Sequence, residues 1–84
     1  MTDIWTIKQM KSVSQQEPDL VLPLELEDPK GNRHNCMLHQ SVGGHLSLWK
    51  GDALIDVESQ DDIHSLSVGD ELVVSVSIPR TGLL

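Results

Sequence analysis

The sequence predicts an all-β chain folded as one small antiparallel barrel of five to six strands, with at most a short helical turn. Three observations carry that expectation. Apolar and polar residues alternate over several stretches, the period of a half-buried strand. Turn-forming Gly, Pro and Asp residues separate those stretches at short intervals. The 84 residues leave room for one domain, 1–84, in which closing the sheet hides edges that leucine-rich strands would otherwise expose.

The N-terminal segment Asp3–Val13 is the least decided, because Ile4, Thr6 and Ile7 do not settle a period. A strand is favoured there, followed by a loop over Ser14–Asp19, so residues 1–19 form an N-terminal strand and loop. From Leu20 to Glu27 the even positions are all Leu and the odd ones include Glu25 and Glu27. A strand would bury the first face and solvate the second. Pro23 falls on the outer face, where its missing N–H points to a nearby edge or bulge. Asp28-Pro29-Lys30-Gly31 suits a type I turn, making a hairpin into Arg33–Gln40. Ser41-Val42-Gly43-Gly44 reads as a tight turn, and His45–Trp49 as a strand with Leu46 and Leu48 on one face. Trp49 is expected to plug one barrel end; if exposed, it suits an interface instead.

After the Lys50-Gly51-Asp52 turn, Ala53–Glu58 should turn Ala53, Ile55 and Val57 inward. Ser59 with Asp62 three residues on resembles a capping box for one helical turn carrying Ile63 and Leu66. Glu71–Ile78 is the clearest strand, with Leu72, Val74, Val76 and Ile78 on one face, and Pro79 ends it.

Composition narrows function. Thirteen acidic and six basic residues give a net charge of −7, and the aromatics are Trp5 and Trp49 alone. Such a surface repels nucleic-acid phosphates and offers no base-stacking platform; it also disfavours an anionic membrane. No apolar run approaches the length of a bilayer span, and no signal peptide opens the chain, so no membrane insertion and a cytoplasmic setting are expected. Cys36 is the single cysteine, which excludes an intrachain disulfide.

His34, Cys36, His39 and His45 place four zinc-competent side chains within a dozen residues. On a strand His34 and Cys36 share a face, whereas His39 has the opposite parity and would need a bulge to join them. The spacing matches no standard zinc module, and a half-buried Cys beside surface imidazoles is the favoured reading. Catalytic signatures are missing: nothing evident activates Cys36, Ser41 lacks a nucleophile elbow, and no phosphate-cradling or dinucleotide-binding glycine pattern occurs. A non-enzymatic chain needing no cofactor is expected.

The stretch LVLPLELEDPKGNRHNCMLHQSVGGHLSL from Leu20 to Leu48, with the C-terminal LSVGDELVVSVSIP, resembles a PilZ domain from about residue 20 onwards. The shared features are a leucine- and valine-rich strand, a hairpin, a second strand, a D/N-x-S-x-x-G turn, and a final Gly-Asp strand ending in Pro. The resemblance implies a six-stranded barrel that commonly binds cyclic di-GMP, a bacterial signalling nucleotide. The turn motif becomes His39-Gln40-Ser41-Val42-Gly43-Gly44, where Ser41 and Gly44 match and His39 replaces Asp or Asn. The arginine motif is absent; Lys11 through Gln15 stands nearest to it, with no arginine. Lysine lacks the planar fork that grips phosphate and stacks on guanine. The resemblance therefore implies a degenerate, regulatory or adaptor member that acts through a protein partner and binds the dinucleotide weakly or not at all. Lys11, Gln15, His39, Gln40, Ser41, Gly43 and Gly44 are its candidate ligand- or partner-binding residues. Three alternatives stay open: a cyclic di-GMP sensor using Lys8, Lys11 and Arg33, a zinc protein, and an unrelated OB or SH3-like barrel. A homodimer is compatible with the leucine-rich strands, although no interface pattern is present.

Overall fold

The computed structural model describes residues 2–75. Seven strands form one antiparallel sheet: β1 (Thr2–Met10), β2 (Ser14–Gln16), β3 (Asp19–Glu27), β4 (Arg33–Gln40), β5 (Leu46–Lys50), β6 (Ala53–Val57) and β7 (Glu71–Ser75), with a 3-10 turn at Ile63–Ser65. The order is β1-β7-β6-β5-β4-β3-β2, and a further pairing of β1 with β3 closes six of the strands into a barrel. Chain neighbours from β3 to β7 are sheet neighbours, so the barrel is a meander closed by the N-terminal strand, unlike the Greek-key order of an OB-fold.

The ambiguous period of the N-terminal segment has a physical cause. β1 carries a register shift between Ile7 and Gln9: Ile7 faces Leu26, yet Gln9 already faces Glu25. The extra residue is a β-bulge that reverses which parity points inward. Trp5 and Ile7 are therefore buried before it, Met10 packs on the core after it, and Ile4 stays exposed. The expected Ser14–Asp19 loop is in part a strand. β2 pairs Ser14–Gln16 with Val21–Asp19, continuing along the edge of β3 where β1 leaves off.

Pro23 sits at this changeover. β3 is not a sheet edge, but the backbone side of Pro23 that lacks an N–H faces the break between β1 and β2, where its carbonyl accepts from Lys11 N (2.9 Å). No ladder bond is lost.

The core is built from the predicted leucine faces. Leu22, Leu24, Leu26, Leu38, Leu46, Leu48, Leu72 and Val74 are all buried, joined by Ile63 and Leu66 from the 3-10 segment. Val21, on the face expected to be solvated, is also fully buried, flanked in the sheet by Ser14 and His39. Ala53 is exposed, while Ile55 and Val57 turn inward as expected. Trp49 is not the plug of a barrel end: it lies on the outer face, partly exposed, because its neighbours Leu48 and Lys50 have the other parity. The buried tryptophan is Trp5, whose indole Nε1 has no hydrogen-bond partner among the described residues.

The turns follow the sequence closely. Asp28 Oδ1 accepts from Lys30 N and Asn32 N (both 2.9 Å), fixing the β3–β4 hairpin. Gly44 has φ of 90°, a conformation glycine adopts at no steric cost. The helical turn is capped by Asp62, whose side chain accepts from His64 N (2.9 Å), and not by Ser59. Ser59 Oγ instead accepts from Val73 N (2.9 Å) and ties the segment to β7. Of the expected final strand, Val76, Ile78 and Pro79 lie outside the described residues.

Candidate interaction surface

Because β4 has no bulge, side-chain parity along it is strict. Its register against β3 runs unbroken from Leu20–Gln40 to Glu27–Arg33. Cys36 and Leu38 therefore point into the barrel, and Asn35, Met37 and His39 point out. This separates the four side chains considered for zinc. His39 lies on the outer face, tilted against Trp49 with ring centroids 6.2 Å apart. His45 is exposed and bonded to Asp56 (2.9 Å). His34 is engaged by Asp28 and Lys50. Cys36 is buried, and that burial, only partly opposed by nearby Lys50, pushes its thiol up to about 11. Among the described residues no three His, Cys, Asp or Glu side chains converge to hold a metal ion.

The candidate ligand-binding residues divide in the same way. Gln15, Gln40, Ser41 and Gly44 line a depression of about 570 Å³ at one end of the barrel, together with Asp61 and Asp62. Lys11 lies elsewhere, His39 is on the outer wall, and Gly43 borders a separate hollow beside Glu58. Within the depression Gln40 is a structural clamp. Its Nε2 donates to the carbonyls of Gly44 and Asp61 (3.1 Å each), and its Oε1 accepts from Ile63 N (3.1 Å). Ser41 Oγ accepts from His45 N (3.2 Å), closing its own turn. Arg33 starts β4 and Gln40 ends it, about 23 Å apart at about 3.3 Å per residue. Arg33 is also bonded to Glu25 (2.8 Å) and Glu27 (3.4 Å), and Lys8 pairs with Glu27 (3.5 Å). The depression is thus lined by carboxylates, and these two cations are committed at the other end.

A further concavity has little trace in the sequence. On the outer wall, Pro23 of β3 pairs with Met37 of β4, Met37 with Trp49 of β5, and Trp49 with Leu54 of β6. These cross-strand neighbours form an apolar row on the solvent side of the sheet, with Met37 37% and Leu54 55% exposed. Beside it runs a groove of about 340 Å³ with Pro23, Met37 and Trp49 among its walls, bordered by Met10, Lys11 and Gly51. Of its walls the sequence places Pro23 on the outer face, but it assigns Trp49 to a barrel end and does not connect the two. Met37 and Leu54 look unremarkable until the register aligns them.

Tryptophan and methionine suit such a surface, one through rigid apolar area and the other through adaptable packing. Because β3, β4 and β5 beneath it are paired on both sides, that part of the wall offers side chains and not free backbone edges.

Among the described residues no helix is long and apolar enough to cross a membrane. Comparison with known protein families, with curated proteins and with solved structures finds no match for this chain.

Proposed function

We propose that this barrel is a non-enzymatic regulatory or adaptor module that recognises a partner protein through its outer wall. The observation that carries this reading is the apolar row Pro23–Met37–Trp49–Leu54 with the groove beside it. Large side chains that could have served the core are held toward solvent on a closed, rigid sheet. Solvating them gains the monomer nothing, whereas covering them on association releases their hydration water. The groove opens beside the apolar row on the outer wall, which suits the anchor side chain of a larger partner.

Weak or absent cyclic di-GMP binding belongs to the same proposal. A dianionic ligand at the Ser41–Gly44 end would meet Asp61 and Asp62, and among the described residues the one guanidinium, that of Arg33, is committed at the other end of the barrel. Titration calorimetry with the dinucleotide at tens of micromolar should give no heat. A cytoplasmic setting accords with a lone cysteine kept in the core.

The direct test places a photo-crosslinking residue at Met37 in cells of the native host. The expected result is one defined adduct that is lost when Trp49→Ala is added, while the thermal midpoint of the purified double variant stays within a few degrees of the parent. Absence of an adduct, or an adduct indifferent to Trp49, overturns the proposal.

A further inference from the structure

At the end of the barrel opposite the Ser41–Gly44 turn, three side chains are strung together across strands. Lys50 Nζ lies 2.8 Å from His34 Nδ1, and His34 Nε2 lies 2.9 Å from Asp28 Oδ2. An ammonium has donors only, so Nδ1 must accept from Lys50 and the ring proton must sit on Nε2, donating to Asp28. The His34 ring is also stacked on Trp5, with centroids 4.3 Å apart and planes 7° from parallel. The geometry therefore fits one tautomer of the His34 imidazole, with a cation on one side and an anion on the other.

We propose that the Lys50–His34–Asp28 chain is a proton-operated latch, in which neutral His34 holds Lys50 and the β5–β6 turn in place and protonated His34 releases them. Adding a proton converts Nδ1 from an acceptor into a donor carrying positive charge, directly against an ammonium 2.8 Å away. That arm must break. The other arm is strengthened, because the imidazolium now donates a charge-assisted bond to the Asp28 carboxylate. The Trp5 face also tolerates a cation, through its quadrupole. The ring thus stays docked while Lys50 leaves.

Other groups around the ring leave this logic intact. Cys36, two residues along the same strand, is a buried neutral thiol. From β3 the ring faces apolar Leu26 across the ladder, and the neighbouring Glu27 carboxylate is paired with Lys8 and Arg33. Among the described residues Lys50 is the cation bonded to the ring and Asp28 the anion.

Lys50 lies between Trp49 and Gly51, both of which line the outer-wall groove. Releasing it when His34 takes up a proton loosens that end of the groove. This consequence rests on the interaction surface proposed above. The latch itself does not, and its test needs no partner.

The experiment is a nitrogen-detected imidazole titration of the whole chain from pH 8 to pH 5, with backbone amide shifts recorded in parallel. At pH 8 the His34 ring should show the Nε2–H tautomer. As His34 gains its proton, the amides of Trp49, Lys50 and Gly51 should shift with the same midpoint. In Lys50→Met, which removes the opposing charge, the ring should gain its proton at higher pH than in the parent. In His34→Gln, which can still bridge Lys50 and Asp28 without titrating, the Trp49–Gly51 shifts should vanish. An Nδ1–H tautomer at pH 8, an unchanged midpoint in Lys50→Met, or persistent turn shifts in His34→Gln would each overturn the latch. A latch that behaves as expected with no adduct at Met37 would overturn the surface alone.

Discussion

Replacing Gln40 by alanine removes a side chain that looked like a ligand contact and that the structure makes a clamp. Its three hydrogen bonds are unequal. The Gly44 and Asp61 carbonyls lie at exposed positions and rehydrate when the amide is lost, so little is forfeited there. The N–H of Ile63 is different: Ile63 is fully buried and its amide donates to Gln40 Oε1. A buried donor left without a partner costs ~1–3 kcal/mol, against ~1 kcal/mol for an ordinary exchanged bond. Gln40→Ala should therefore destabilise the domain by about 2 kcal/mol, mostly through that one amide. In urea, followed by the emission of buried Trp5, this corresponds to a midpoint roughly 1–2 M lower at the usual slope for a small protein. Hydrogen exchange supplies a site-specific readout, since the Ile63 amide should lose its protection. Gln40→Glu keeps an acceptor for that amide, so protection at Ile63 should survive even though the new charge beside Asp61 and Asp62 lowers stability. A Gln40→Ala protein within about 0.5 kcal/mol of the parent, or with Ile63 still protected, would refute the assignment of Gln40 as a clamp.

Other outcomes follow from parity, from the groove and from the hairpin carboxylate. Leu48→Ala, at a fully buried position, should cost about 2–5 kcal/mol in denaturant unfolding, whereas Leu54→Ala on the outer wall should stay within about 0.5 kcal/mol; equal losses would contradict the inward and outward assignment of β5 and β6. Trp49→Ala should abolish the Met37 adduct with little change in unfolding midpoint, and a large loss of stability would instead mark Trp49 as part of the core. Asp28 is held well below the usual carboxylate range, first by its bond to His34 and then by the amides of the hairpin turn, against the opposing effect of desolvation. A depressed folded value means stability fully present above the ordinary carboxylate pKa and lost as pH falls through the folded one. Asp28→Asn should therefore flatten the acid limb of the stability–pH curve below about pH 4, and an unchanged slope would show that the bond to His34 contributes nothing to it.

The candidate site was only partly legible in the sequence. Ser41 and Gly44 were correctly placed in a tight turn, because a positive φ and a short polar linker are local properties. Gln40 was grouped with them as a contact residue, yet its partners Asp61 and Ile63 are more than twenty positions away, and only the closed barrel brings them together. The outer-wall row was invisible for the same reason: Pro23, Met37, Trp49 and Leu54 come from four strands, and nothing in one strand announces which residue stands beside it in the next. The ambiguous N-terminal segment was unreadable because a single bulge inverted its parity between Ile7 and Met10.

The sequence by itself determined the class of fold, the inward leucine faces and the positions of most turns. Each of these depends on a period of two or on the φ preferences of a few residues, and both are written locally. Only the tertiary structure decided which strand closes the barrel, that Trp5 and not Trp49 is buried, and that Lys50, His34 and Asp28 form one chain. Those outcomes depend on register between distant strands, which is set by how all the apolar faces pack at once and has no counterpart in any short stretch of residues.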